Sequence, residues 1–175
     1  ENERYDCDWF EDVRHGNGTY YFENNNKYTG LWFKDVRQGR GTMYYFTGDV
    51  YEGDWVNNKR EGPGIYTWKD GASYDGEWKN DERHGTGTFK WEDGSEYVGQ
   101  MAHNARNGQG TYHFVDGDVY VGSWVNDIQH GKGRYVFRNG DVYEGDYKDG
   151  ERTGQGSFTA ANGNKYIGGF LNGSQ

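Results

Sequence analysis

The sequence predicts an all-β fold, an elongated single-layer antiparallel meander of twisted β-hairpins, and three observations support this prediction. A tyrosine recurs every 23 residues from end to end, and a fixed period of this length is typical of repeat proteins. Each repeat contains two runs in which aromatic or glycine residues alternate with polar residues, which is the two-residue period of a β-strand. No segment has apolar residues at helical spacing over ten residues.

The tyrosine period defines about seven repeats and the limits of the repeat array. Residues 1–4 are an N-terminal stub, and residues 5–175 form the array. The repeats begin at Tyr5, Tyr28, Tyr51, Tyr74, Tyr97, Tyr120 and Tyr143, and a partial copy begins at Tyr166. The chain starts at Glu1 rather than at methionine. We therefore expect either a fragment of a longer protein or a processed chain. The sequence alone does not decide whether further repeats precede residue 1, and we favour that they do.

The composition excludes several classes of protein. The chain has 30 glycines, one proline and 18% aromatic residues, whereas all hydrophobic residues amount to 32%. The apolar surface is therefore mostly aromatic, and disordered chains are normally poor in aromatic residues. The net charge of −9 repels nucleic acid and anionic membranes at long range. Cys7 is the only cysteine, so an intramolecular disulfide is excluded, and no apolar stretch approaches membrane-spanning length.

The central repeat, residues 74–96, shows the predicted hairpin most clearly. Residues 74–79 form a first strand with tyrosine, glycine and tryptophan on one face and charged residues on the other. Residues 85–91 form a second strand of the same kind. Asp93-Gly94 then predicts a two-residue turn, because both residues can adopt positive φ.

The glycines of the second strand have a structural purpose in this prediction. Glycine weakens a strand, since it has no side chain to pack. Its regular return indicates that a tyrosine or tryptophan of the adjacent strand lies flat across the bare backbone. A single sheet could then bury aromatic area without the second layer that most domains need.

Some repeats depart from the pattern. The first has Cys7 in place of glycine, the fifth has Met101 in place of tryptophan, and the seventh has Tyr147 there. The partial copy ends after one strand, at Phe170. Its edge is predicted to be unpaired, and open edges favour pairing with another chain.

The motif Tyr-x-Gly-x-Trp, a loop, and Gly-x-Gly-x-aromatic resembles the MORN (membrane occupation and recognition nexus) repeat family from Tyr5 to Phe170. The resemblance implies a groove-bearing meander that acts as a cytoplasmic scaffold at cytoskeletal or membrane-associated structures. It also implies binding of protein segments and homodimerisation, and phosphoinositide binding has been proposed for the family. Enzymes with such repeats carry their catalytic domain elsewhere, and no such domain is visible in this sequence.

Three sets of residues are candidate interaction sites. Aromatic residues on one face either substitute for a core or also floor a groove for an extended or helical partner segment: Trp32, Trp55, Trp78, Trp124, Tyr66, Phe89, Tyr112 and Tyr135. The last repeats supply a predicted homodimerisation edge: Tyr143, Tyr147, Phe158, Tyr166 and Phe170. One arginine per loop forms a row, with Gln129 as its exception: Arg14, Arg37, Arg60, Arg83, Arg106 and Arg152.

The arginine row has two interpretations. Each guanidinium can stack on an aromatic ring or pair with a carboxylate of its own chain. Alternatively, the row is a basic edge that binds acidic peptides or lipid headgroups, although the acidic total disfavours lipid.

Other motifs do not support catalysis or metal binding. Acidic pairs such as Asp75 and Glu77 recur with the repeat on the exposed face, as solvated residues do. Gly131-Lys132-Gly133 precedes no helix, so a phosphate-binding loop is excluded. His15, His84 and His130 occupy one repeat position in non-adjacent copies, too far apart for one metal, which leaves His103, His113 and Cys7 as candidate ligands between chains.

We therefore predict a non-enzymatic scaffold with no catalytic residue, cofactor or metal and no nucleic-acid partner. Its partners would be protein segments and a second copy of the chain. The alternative is a phosphoinositide-binding module that recruits the protein to membranes.

Overall fold

The computed structural model describes residues 4–172, which form fifteen β-strands and no helix. The chain divides into two compact units, residues 1–85 and 86–175. The first unit contains β1 (Arg4–Phe10), β2 (Val13–Tyr21), β3 (Lys27–Phe33), β4 (Val36–Tyr44), β5 (Val50–Val56), β6 (Lys59–Thr67) and β7 (Ser73–Lys79). The unit boundary falls within β8 (Glu82–Lys90). The second unit contains β9 (Glu96–Ala102), β10 (Ala105–His113), β11 (Val119–Val125), β12 (Ile128–Val136), β13 (Val142–Lys148), β14 (Glu151–Thr159) and β15 (Lys165–Phe170).

Strands pair only with their neighbours in sequence within each unit. The pairs from β1 to β7 are all antiparallel, with each strand between the one before and the one after it. The pairs from β9 to β15 follow the same pattern. The predicted antiparallel meander of hairpins is therefore confirmed.

Two kinds of turn alternate along the chain. Inside the fourth repeat, Asn80 and Asp81 have φ of 49° and 70°, and two consecutive positive φ values define the tight turn that matches strand twist. At the end of the fourth repeat, between β8 and β9, the loop has three residues, since the N–H of Trp91 donates to the carbonyl of Ser95 at 2.9 Å. The prediction of a two-residue turn at Asp93-Gly94 is wrong, although the hairpin exists. Only Gly94 has positive φ, and the Asp93 carboxylate holds the loop by accepting the Ser95 N–H at 2.8 Å.

The two glycines of the second strand have different roles, which β12 illustrates. Gly131 has a φ of 91°, where the pairing register with β11 shifts between Gly122 and Trp124. It therefore forms a β-bulge that needs a residue without a Cβ. Gly133 lies beneath the ring of Tyr120, because a Cβ at Gly133 would be 2.5 Å from Cε2 of that ring. The predicted placement of an aromatic ring on glycine is confirmed for this second glycine only.

The core is a row of interleaved tyrosine and tryptophan rings. Tyr51 packs edge to face against Trp55 of its own repeat, with ring centroids 5.1 Å apart, and against Trp78 of the next at 5.4 Å. Its hydroxyl donates to the carbonyl of Asp54 at 2.9 Å, and the Trp55 indole N–H donates to the carbonyl of Gly41 at 3.1 Å. Each ring buries large apolar area while its polar atom is satisfied. The tyrosines with no exposed surface are Tyr28, Tyr51, Tyr74, Tyr97, Tyr120 and Tyr143.

Candidate functional site

The predicted groove residues separate into a buried set and a half-buried set. The four tryptophans are only 2–5% exposed, so they belong to the core. Tyr66, Tyr112 and Tyr135 are half-buried, and Phe89 is buried. Tyr66 and Tyr112 contact the tryptophan row, with ring centroids 6.0 Å from those of Trp78 and Trp124. The side chains that a partner can reach are therefore the second-strand rings.

These rings continue into a longer row that we call the aromatic ladder. Successive ring centroids of the ladder are 4.4 to 6.0 Å apart. All of its rings except the first are half-buried. Its members, in order, are Phe89, Trp91, Tyr112, Phe114, Tyr135, Phe137 and Phe158. A shorter stretch of the same kind occurs in the first unit, where Tyr66 contacts Tyr45 and Trp68 at 5.7 and 4.6 Å.

The sequence prediction missed three of the six half-buried ladder rings as groove residues. Each missed ring lies two residues after a predicted groove residue and one residue beyond the end of the second strand. The missed rings are Trp91, Phe114 and Phe137. The signal was present, because an aromatic residue recurs at this position in every repeat until Ala160. Ala160 also marks where the ladder ends.

Hydrogen bonds between repeats hold the ladder tyrosines in place. The Tyr135 hydroxyl donates to Oδ2 of Asp118 at 2.7 Å, and Oδ1 of Asp118 accepts the backbone N–H of Arg138 at 2.7 Å. Burial, followed by the hydrogen bond to Asp118, raises the pKa of Tyr135 above its usual value. The ladder is consequently a preformed surface, which reduces the entropy lost on binding.

The arginine row lies among the same rings, and all six arginines are half-buried. The Arg60 guanidinium stacks 4.6 Å from the ring of Trp78. Its Nε donates to Oδ1 of Asp81 at 3.1 Å and its terminal nitrogen to the Asp81 carbonyl at 2.9 Å. We call this arrangement the arginine clamp, since it joins one repeat to the turn of the next.

The arginine clamp recurs with small variations. Arg14 and Arg106 form it with Asp35 and Asp127. The backbone N–H of Arg14, and then its side chain, lower the pKa of Asp35 by hydrogen bonding to the carboxylate. In the third case an amide replaces the carboxylate: the Arg37 backbone N–H donates to Oδ1 of Asn58 at 2.8 Å, and the guanidinium donates to the Asn58 carbonyl at 2.9 Å.

The replacement of the carboxylate leaves Arg37 incompletely satisfied. Its Nε is buried and has no hydrogen-bond partner within residues 4–172. Burial lowers the pKa of Arg37 below its usual value. The remaining two arginines also lie over rings: Arg83 is 5.6 Å from Trp68, and Arg152 is 5.5 Å from Tyr143.

The predicted homodimerisation edge is largely internal. Tyr143, Tyr147 and Phe170 are 0%, 5% and 4% exposed, and Phe170 packs 4.9 Å from the Tyr143 ring. Phe158 and Tyr166 are half-buried. The strongly exposed apolar side chains at this end are Ile167 and Leu171, each 72% exposed.

The remaining candidate residues are the histidines, Cys7 and the acidic pairs. Among the described side chains of residues 4–172, no three histidine, aspartate or glutamate side chains are close enough together to hold a metal ion. The side chain of Cys7, a predicted ligand, lies outside the described part of the structure. The acidic residues Asp75 and Glu77 lie exposed on the face opposite the rings. No helix among the described residues is long and apolar enough to cross a membrane.

Comparisons with known proteins agree with the repeat structure. The family model for the MORN repeat matches seven consecutive segments: residues 5–27, 28–50, 51–73, 74–96, 97–119, 120–142 and 143–165. No curated protein sequence matches the chain.

Solved structures give a likeness in fold. The TCP domain of SAS-4 (dCPAP) from Drosophila melanogaster, in complex with a proline-rich motif of Ana2 (dSTIL), is 16% identical, with a TM-score of 0.53. The match covers 87% of this chain and 83% of that chain. The wild-type TCP10 domain of Danio rerio CPAP, in complex with a STIL peptide, is 13% identical over 99% of this chain and 100% of that chain, with a TM-score of 0.26. The first likeness shows a shared fold alone, and the second TM-score is too low to support an argument.

Proposed function

Because the chain belongs to the MORN repeat family, whose model matches residues 5–165, we propose that it is a non-enzymatic scaffold that binds an extended segment of a partner protein. The aromatic ladder is the observation that carries this proposal. Half-buried rings in an unbroken row are a contiguous apolar surface, and such surfaces mark interaction sites.

The spacing of the ladder favours a polyproline II ligand. Each repeat contributes two strands, so equivalent rings of successive repeats are about 9.6 Å apart at the usual strand spacing. Three residues of a polyproline II helix advance about 9.3 Å. A proline-rich segment could therefore place one side chain against each repeat, as such segments do in other aromatic-lined grooves.

The fold neighbour is consistent with this ligand class. The Drosophila TCP domain was solved in complex with a proline-rich motif. Since its likeness to this chain is one of fold, it supports the choice of ligand to test and identifies no partner.

The proposal is tested by selecting peptides from a displayed library against the whole chain. Trp91 and Phe114 are replaced by serine in a ladder variant. A matched control replaces Val98 and Val121, which are 40% and 44% exposed on the opposite face, by serine. Selected peptides should be extended and proline-rich. Their affinity for the control should equal their affinity for the wild type, whereas they should no longer bind the ladder variant. Equal binding to a correctly folded ladder variant would contradict the proposal.

We also propose that the chain self-associates through its last repeats. The strand order places β15 at the end of the sheet, and strand edges pair readily with other chains. Replacing Phe170 would damage the chain itself, because this residue packs on Tyr143. The sharper variant replaces Ile167 and Leu171 by lysine. Light scattering should give twice the monomer mass for the wild type and the monomer mass for this variant, and a monomeric wild type would refute self-association.

The proposed location, at cytoskeletal or membrane-associated structures of the cytoplasm, follows from the family. Phosphoinositide binding is the alternative function. The acidic net charge and the carboxylate partners of three row arginines favour protein over lipid. Pelleting with phosphoinositide vesicles at low and physiological salt separates the two, since binding that survives physiological salt would support the lipid alternative.

A further inference from the structure

At one position along the array both members of the arginine clamp are replaced together. Gln129 stands where the other repeats have arginine, and Gly150 stands where Asp35, Asn58, Asp81, Asn104 and Asp127 occur. A backbone hydrogen bond that accompanies the clamp is kept: the Asp127 N–H donates to the Arg106 carbonyl at 3.0 Å, and the Gly150 N–H donates to the Gln129 carbonyl at 3.0 Å. Only the guanidinium and its side-chain acceptor are absent.

A cleft of about 280 Å³ lies at this point. It is lined by Gln129, Tyr135, Phe137, Tyr147, Gly150, Glu151 and Arg152. Tyr135 and Tyr147 correspond, one repeat on, to the Tyr112 and Trp124 rings. Those two rings lie 5.3 and 4.6 Å from the Arg106 guanidinium. The cleft therefore keeps the rings that surround a guanidinium in the neighbouring repeat.

We propose that this cleft binds an arginine side chain of the partner segment. The proposal rests on the proposed function and adds a specificity site to it. The occupant is inferred from the chain itself, since guanidiniums stack over the corresponding ring after Arg14, Arg37, Arg60 and Arg106 at 4.6 to 4.9 Å.

The cleft offers the contacts that a guanidinium needs. The ring of Tyr147 supplies the stacking face, as Trp124 does for Arg106. The Gly150 carbonyl corresponds to that of Asp127, which accepts a terminal N–H of Arg106 at 2.9 Å. Glu151 is exposed and forms no ion pair with any residue of the described range. A planar guanidinium can stack and donate to both acceptors at once, which a lysine ammonium cannot do.

Two further features fit a cationic ligand. The half-buried Gln129 side chain donates to and accepts from no residue within 4–172, so a ligand displaces no internal hydrogen bond. Arg152 lines the cleft, but two row arginines already coexist around one cleft elsewhere, where Arg37 and Arg60 are neighbours. The net charge of −9 also attracts cationic segments.

The test uses the whole chain and the probe N-acetyl-arginine amide, with N-acetyl-lysine amide as its comparison. Amide resonances of Gly150 and Glu151 are followed by NMR during titration. We expect saturable shifts with the arginine probe and at least about tenfold weaker binding of the lysine probe, since a stacked guanidinium is worth about that factor.

Three variants make the result decisive. The double variant Gln129→Arg, Gly150→Asp rebuilds the clamp and should abolish probe binding. Aspartate can occupy position 150, because Gly150 has a φ of 87° and Asp127 has a φ of 71° at the equivalent position. Glu151→Lys changes only an exposed residue and should weaken binding about tenfold. Arg106→Gln with Asp127→Gly should create a second cleft, with new probe-induced shifts at residue 127.

Probe binding that is unchanged in both the rebuilt-clamp variant and Glu151→Lys would overturn the inference, and so would equal binding of the two probes. The ladder peptides separate this result from the proposed function. If the peptides bind the rebuilt-clamp variant as tightly as the wild type and no longer bind the ladder variant, and if the arginine probe causes no saturable shifts, the proposed function holds and the arginine site is refuted.

Discussion

Replacing Gly133 by alanine tests whether a bare strand position beneath a tyrosine ring supports this fold. The new Cβ would lie 2.5 Å from both Cε2 and the hydroxyl oxygen of Tyr120. The ring cannot move freely, because it is fully buried and packs 5.2 Å from both Trp124 and Tyr147. Its hydroxyl also donates to the carbonyl of Ser123 at 2.9 Å.

The expected loss of stability follows from these contacts. Forcing a methyl group into a packed core costs about 1–3 kcal/mol, and breaking a buried hydrogen bond costs about 1–3 kcal/mol. We expect Gly133→Ala to lower the free energy of unfolding by about 3 kcal/mol. The matched control is Gly169→Ala, whose Cβ would meet only Nε2 of Gln155, at 3.8 Å. That change should be neutral or stabilise by up to about 1 kcal/mol, since alanine restricts the unfolded chain.

Urea unfolding followed by tryptophan fluorescence measures both variants. Because repeat arrays can unfold in parts, amide hydrogen exchange is measured as well. The Gly133→Ala variant should show lower protection of amides in β11 and β12. A double-mutant cycle with Tyr120→Leu should show strong coupling, because a smaller side chain leaves room for the methyl group. Equal stability of Gly133→Ala and Gly169→Ala would refute the packing argument.

Two further predictions concern polar groups of the core. Asn58→Asp gives the buried Nε of Arg37 an ionised acceptor and should raise the free energy of unfolding by about 1 kcal/mol; Asn57→Asp adds the same charge without that acceptor, and an equal gain there would contradict the reasoning. Burial of the first-strand tyrosines should make the fold sensitive to alkali. Their full contribution to stability is present below about pH 10, where the unfolded chain begins to ionise, and is lost as the pH rises toward the folded-state value. Thermal unfolding between about pH 8 and 12 measures this loss, and a flat profile would contradict it. Burial raises the pKa to about 12 at Tyr74, Tyr97 and Tyr120.

The meander could be predicted from the sequence because every repeat has the same alternation of aromatic or glycine residues with polar residues. The position of the tight turn could not, since Asn80-Asp81 and Asp93-Gly94 are both good turn sequences. The two turns differ by one residue in loop length, and the pairing register of the strands decides between them. A single repeat read alone does not contain that register.

The site was predicted only in part, because its contacts cross repeats. Arg60 meets Asp81, which lies 21 residues further along the chain, and any of several acidic residues could have been chosen from sequence. Comparing equivalent positions would have shown that Gln129 and Gly150 change together. The tryptophan row was predicted as a core and as the floor of a groove. Each tryptophan of this row is covered by tyrosines of its own repeat and of the preceding repeat. These contacts between repeats become visible only in the structure.

The most direct test of the proposed function is the position of a bound segment on the ladder. A selected proline-rich peptide is labelled with an isotope and bound to the whole chain, and intermolecular NMR contacts are measured. Contacts from the peptide to the rings of Trp91, Phe114 and Tyr135 are predicted. Contacts confined to Val98 and Val121 on the opposite face, or to the edge of β15, would contradict it.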